Sequence, residues 1–125
     1  MIEIHKVTKR FGLNTFALSD INLIIENGEF VFIVGPTGSG KTTLLRLLTS
    51  EVIPTSGKVI VEKEDLGKIS GSHLTKLRRK VGVVFQDFKL LFDRTVFENI
   101  ALPLEITRLS NKEITPRVEK ILEMV

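Results

Sequence analysis

The chain has 125 residues, 42% of them apolar and 26% charged, which suits one globular domain with a single sizeable core and excludes the sparse hydrophobicity of disordered chains. Its longest apolar runs, residues 30–34 and 81–85, hold about five residues where a membrane span needs roughly 20, and with no cysteine and only His5 and His73 neither a disulfide framework nor a zinc site is expected. Eighteen Lys and Arg against fifteen Asp and Glu leave a net charge of +3, spread along the chain in a way that predicts no nucleic-acid partner.

Residues 1–62 read mostly as strands. Ile2–Val7 alternates, Phe16–Ile25 is apolar-rich, and Glu29–Val34 is a continuous run of the buried kind. Asn27-Gly28 lies between the second and third runs, where a hairpin would place it. Leu44, Leu45, Leu47 and Leu48 then follow helical spacing, which stops near Ser50 before Pro54-Thr-Ser-Gly57. Lys58–Glu62 predicts a further strand, Ser72–Lys80 a short helix, and Val81–Phe85 a second strand of the buried type.

Beyond residue 86 the pattern is helical. Phe97, Ile100 and Ala101 recur at helical spacing, as do Val118, Ile121, Leu122 and Val125. The last helix can begin in two ways: Ser110 with Glu113 as a capping box, or Thr115 as cap with Pro116 at the first helical position. The residues leave both open. Its apolar stripe reaches Val125 without a stop signal, so the natural chain is expected to continue. The first residues hold no basic segment followed by an apolar run, which predicts no secretory signal and a cytoplasmic location.

One motif carries chemistry. Gly35-Pro-Thr-Gly-Ser-Gly40-Lys41-Thr42 fits G-x-x-x-x-G-K-[ST] at every fixed position, between a strand-like run and a helix. Glycines permit backbone conformations that bring N–H groups close to phosphate oxygens, and the helix that follows points its positive end at the same anion. The cradle therefore comprises Gly35, Pro36, Thr37, Gly38, Ser39, Gly40, Lys41 and Thr42. Lys41 is expected to reach the outer phosphates, Thr42 to offer a hydroxyl to Mg²⁺, and Thr43 to add a second hydroxyl contact. The loop alone does not distinguish kinases, GTPases and transport ATPases.

The order of the motifs resembles the N-terminal half of the nucleotide-binding domain of ABC-type ATPases. Phe11, in Val7-Thr-Lys-Arg-Phe-Gly12, stands where that family stacks an aromatic ring on adenine. The phosphate loop follows, then Pro54-Thr-Ser-Gly57 before a strand, then Val81-Gly-Val-Val-Phe85-Gln86, which is similar to the family's Q-loop. Residues 85–100 resemble most closely the FtsE-type cell-division ATPases, in Phe-Gln-Asp, Leu-Leu and Asp-Arg-Thr-Val.

The resemblance implies an α/β P-loop fold, with a RecA-like core and an antiparallel β subdomain. Residues 1–85 would form that subdomain and the P-loop core, and 86–125 the Q-loop and the start of a helical subdomain. It implies ATP and Mg²⁺ as ligands, Lys41 and Gln86 as catalytic residues, and Thr42 and Gln86 as metal ligands. It also implies a head-to-tail homodimer of the complete protein and an integral membrane partner, FtsX-like or a permease, docking around Gln86–Phe97, so that the protein would sit on the inner face of the plasma membrane. The apolar Phe88, Leu90, Leu91 and Phe92 suit such a contact, and equally burial under a helical subdomain.

The family's Leu-Ser-Gly-Gly-Gln signature, its strand ending in Asp-Glu and its switch histidine do not occur. All three lie downstream of the Q-loop in the family, so this chain is expected to carry half of an active site and not to turn over alone. Three alternatives remain at this level: a transporter ATPase, a nucleotide-binding module without catalysis, and a kinase in which Asp87 ends the strand as the Mg²⁺-binding acid. Arg78-Arg79-Lys80 reads as a solvated helix face.

Overall fold

The computed structural model describes all of residues 1–125. The chain divides into two compact units, Met1–Gly82 and Val83–Val125.

The first unit is built on an antiparallel sheet of order β2-β1-β3-β4. Its strands are β1 (Ile2–Phe11), β2 (Thr15–Ile25), β3 (Ser56–Val61) and β4 (Glu64–Asp65). β1 is central, pairing Ile4 with Leu23 of β2 and with Val59 of β3. Two helices accompany the sheet, α1 (Lys41–Leu48) and α2 (Gly71–Arg78). Ile4, Val7, Leu18, Val59 and Val61 face inward and enclose Leu44 and Leu47 of α1, Leu66 and Leu77 in one core. Burying such side chains contributes about 1.5–3 kcal/mol each. The basic cluster has a defined part in this unit. Arg78 donates from Nε to the Thr49 carbonyl at 3.2 Å and from Nη2 to that of Ser50 at 2.9 Å, so a cation caps the negative end of α1.

The second unit pairs α3 (Val96–Ile106) with α4 (Asn111–Met124). Ala101, Ile114 and Val118 are buried between them, flanked by Phe97, Ile100, Leu104 and Leu109. Thr95 with Glu98, and Ser110 with Glu113, form reciprocal capping boxes. The start of the last helix is thus decided for Ser110, and Pro116 lies inside it. At this start the Glu113 carboxylate accepts from the Ser110 N–H at 3.0 Å and from its hydroxyl at 2.6 Å, while the Thr115 hydroxyl bonds back to the Asn111 carbonyl inside the helix.

Three expectations require correction. The run at 29–34 and the run at 81–85 are not strands. Phe30, Phe32 and Val34 are 83%, 78% and 87% exposed, and Val84 is fully exposed. A strand needs at least one neighbour to pair its backbone N–H and C=O groups, and parallel sheets are covered on both faces; no strand of this chain pairs with either run. These two runs therefore form no parallel ladder, whereas the strands of the antiparallel subdomain are paired. Finally, the hairpin falls one run earlier than Asn27-Gly28 suggested: β1 and β2 turn through residues 12–14. Asn27-Gly28 makes a turn closed by Glu29 N–H to Glu26 C=O, with no returning strand.

Candidate functional site: the phosphate loop

The loop leaves the unpaired run at Val34 and ends in α1. Ser39 N–H donates to the Pro36 carbonyl at 3.2 Å, closing a tight turn, and Leu44 N–H to the Gly40 carbonyl at 2.9 Å starts the helix. Gly40 has φ +92°, and a β-carbon there would stand 2.4 Å from the Ala17 carbonyl oxygen and 2.8 Å from Leu18 Cδ2. Only glycine lets the loop lie against β2 at this point. The sheet thereby positions the loop's C-terminal shoulder, through Ala17 and Leu18, which sequence reasoning did not single out. In the sequence they are only an Ala-Leu pair near the start of a strand.

Lys41 curls into the turn. Its ammonium donates to the Gly35 carbonyl at 2.7 Å, the Pro36 carbonyl at 2.8 Å and, more weakly, Ser39 Oγ at 3.4 Å. A full positive charge therefore sits inside the loop, held by partners that carry no formal charge. No side chain caps α1 at Gly40, so the first N–H groups of the helix have no side-chain acceptor. The hydroxyls differ in the same sense. Thr49, Thr75 and Thr115 bond back to the carbonyl one turn earlier, at 3.2, 3.1 and 3.0 Å, whereas Thr42 and Thr43 make no such bond, and Thr42 is exposed.

These features fit a phosphate chain with a cation attached to it. Uncapped N–H donors, an ammonium and a glycine-walled turn are what an anion requires. No group of three or more His, Asp or Glu could hold a metal by itself, so a Mg²⁺ here would depend on phosphate oxygens and water, with the free Thr42 hydroxyl as the protein's ligand in this unit.

Phe11 ends β1 opposite Thr15, two residues before the Ala17–Leu18 platform. Its ring is 43% exposed and takes the Lys9 ammonium at 5.1 Å from its centroid. The structure thus brings the loop and the β1 end into one unit. Gln86 belongs to the other unit, at an exposed turn closed by Phe88 N–H to the Phe85 carbonyl. Its neighbour Asp87 accepts from Lys89 Nζ at 2.6 Å, and that hydrogen bond holds the carboxyl below its ordinary value.

The second unit also carries a groove of about 300 Å³ lined by Leu90, Leu91, Phe92, Val96 and Ile100 with Arg94 and Asn99. Asn99, missed at the level of sequence, shapes it. The Thr95-x-x-Glu98 box that starts the helix is itself a sequence motif of the capping-box kind.

Comparison with known proteins decides the lineage. Residues 18–125 match the family model described as ABC transporter. The chain belongs to the ABC transporter family. Two curated ABC relatives match it almost equally. The methionine import ATP-binding protein MetN of Photobacterium profundum is 47% identical over all of this chain and 37% of its own length. The cell division ATP-binding protein FtsE of Mycobacterium tuberculosis is 46% identical over all of this chain and 55% of its own. Among solved structures, the post-hydrolysis dimer of the ATP-binding cassette MJ0796 bound to ADP and Pi superimposes with a TM-score of 0.87 at 37% identity, covering 99% of this chain and 56% of that one. The fold is accordingly the ABC ATPase P-loop fold, and the chain spans about half the length of the relatives it matches, or less.

Proposed function

We propose that these residues form the nucleotide-gripping half of an ATP-binding, ATP-hydrolysing subunit in an FtsE/FtsX-like membrane complex acting in bacterial cell division. The observation that carries the ATP reading is the ammonium of Lys41 inside a turn that leads into a helix start without a side-chain cap, beside a Thr42 hydroxyl with no hydrogen bond in the chain. Residues 35–43 bind and orient the triphosphate, with Lys41 holding the outer phosphates and Thr42 the metal. Phe11 offers its exposed ring to the base. A Mg²⁺ held through the Thr42 hydroxyl would supply neutralisation of phosphate charge. Gln86 orients the attacking water and ligates the metal once the complete domain brings its turn to the loop.

The same reading assigns 1–85 to the β subdomain and P-loop core and 86–125 to the Q-loop and the start of the helical subdomain. The exposed runs at 29–34 and 81–85 become sheet strands in the complete domain, which pairs head to tail with a second copy. The groove of the second unit receives an apolar helix of a membrane-embedded partner, its wall of leucine, phenylalanine, valine and isoleucine supplying the complementary surface. This places the protein on the inner face of the plasma membrane.

The resemblance of Leu90–Val96 supports the division role. The equal match to MetN supports a second reading, the ATP-binding subunit of a methionine importer. Two experiments test these readings. A fluorescent ATP analogue with Mg²⁺ should bind the 125-residue chain saturably and lose that binding in Lys41→Ala, without phosphate release by either; equal binding by the variant overturns the site. Disrupting the gene should give filamentous cells with normal methionine uptake, and the reverse phenotype overturns the division role in favour of import.

A further inference from the structure

The sheet has a second feature, on strands away from the phosphate loop. Opposite Gly57, the central strand β1 holds two residues, Lys6 and Val7, where β3 holds one; opposite Asn22 of β2 it holds His5 and Lys6. β1 is therefore bulged towards both neighbours at Lys6, which has φ +48°. Two contacts hold the bulge. The Lys6 N–H donates to Asn22 Oδ1 at 2.9 Å, and Gly57 approaches so closely that a β-carbon would lie 2.3 Å from the Lys6 carbonyl oxygen. A bulge re-aims a side chain, and here it sends a lysine into a concavity of about 480 Å³ lined by His5, Lys6, Asn22, Gly57, Lys58 and Ile60.

The charges in this concavity are unbalanced. His5 and Lys58 stand directly opposite each other in the ladder, and Lys6 joins them. The ammonium groups of Lys6 and Lys58 form no hydrogen bond and no ion pair, while other lysines of the chain, such as Lys9, Lys41 and Lys89, do. The carboxylate of Glu3, on the same strand, is engaged with His5 Nε2 at 2.9 Å. Two unpaired ammonium groups lining one concavity repel each other, and an anion between them offsets that repulsion.

We infer that this concavity is a second anion site, separate from the phosphate loop, for a small phosphomonoester held between Lys6 and Lys58. Phosphate is favoured over carboxylate because the site supplies compact ammonium charges and no guanidinium fork for a planar carboxylate. The concavity leaves room for more than a bare phosphate, and an organic group on the ligand would meet Ile60. A soluble metabolite and a lipid headgroup share this chemistry.

Residue-resolved amide NMR of the 125-residue chain tests the site, with glycerol 3-phosphate as the soluble probe, glycerol as control, and phosphatidylcholine vesicles with and without phosphatidic acid. Expected are saturable shifts at Lys6, Asn22, Gly57 and Lys58 with the phosphate and none with glycerol, or signal loss with phosphatidic acid vesicles alone if the source is lipid. The double variant Lys6→Gly, Lys58→Gln keeps a residue that accepts positive φ at the bulge, and should weaken binding of the phosphate at least about tenfold while the shifts that added ATP induces at Gly38–Thr42 persist. Shifts confined to Gly38–Thr42, a response to neither probe, or equal affinity of the double variant overturns the proposal.

Discussion

The carboxamide of Asn99 holds the backbone of Leu91 at both of its polar groups: Oδ1 accepts from the Leu91 N–H at 2.8 Å and Nδ2 donates to the Leu91 carbonyl at 3.0 Å. The same nitrogen reaches the carbonyls of Arg94 at 3.3 Å and Thr95 at 2.9 Å. One side chain on the first turn of α3 therefore stands in for a strand partner and gives the segment before the helix its shape. Asn99→Ala should cost about 1–2 kcal/mol and release the Leu91 amide to rapid hydrogen exchange. Asn99→Asp, which keeps the acceptor and loses the donors, should retain protection at Leu91 N–H only in part.

Two glycines of the phosphate loop should answer differently to the same change. At Gly40 a methyl group meets the Ala17 carbonyl, whereas at Gly38, with φ +81°, it meets nothing within 4 Å. Gly38→Ala should therefore cost only the left-handed conformation, about 1–2 kcal/mol. Gly40→Ala should cost more in thermal unfolding, because β2 or α1 must shift, and should abolish binding of an ATP analogue.

The helix caps predict a dependence on acid. Hydrogen bonds from the Thr95 N–H and hydroxyl hold the Glu98 carboxyl below its ordinary 4.5, and those from the Ser110 hydroxyl and N–H do the same for Glu113. Since the folded value lies below the unfolded one, each cap's contribution is complete above pH 4.5 and disappears as the pH falls through the depressed value. The protection factors of the Thr95 and Ser110 amides, taken relative to the intrinsic rate at each pH, should fall in that window. Glu98→Gln and Glu113→Gln should remove that pH-dependent fall.

Exposed apolar runs predict self-association. Phe30 and Phe32 pack edge to face at 4.9 Å with most of both rings exposed, and Val84 has no cover. Phe32→Lys and Val84→Lys should each raise the monomer fraction in sedimentation while leaving helical circular dichroism unchanged, because neither side chain belongs to a core.

Much of this was readable from the residues. The alternation in Ile2–Val7 and the leucine spacing after Gly40 depend on local periods, and β1 and α1 follow them. The phosphate loop was legible because its chemistry dictates residue type at fixed spacing. Glu29–Val34 and Val81–Phe85 were misread because an apolar run records a demand for neighbours without showing that they are present. Asn99 escaped notice since its four bonds depend on where the preceding loop returns, which no periodicity encodes. The Lys6 bulge was hidden for a similar reason: it exists only against Gly57 and Asn22 on two other strands.

The phosphate loop is fastened on one side alone. Its Gly40 shoulder is wedged against β2, whereas its Gly35 shoulder continues from an unladdered run and is tethered chiefly by the Lys41 ammonium. A triphosphate that recruits this ammonium must loosen that tether and immobilise the amino-terminal approach at once. Part of its intrinsic affinity is thus spent as lost backbone entropy, and any element that laddered residues 30–34 beforehand would tighten nucleotide binding without touching the nucleotide.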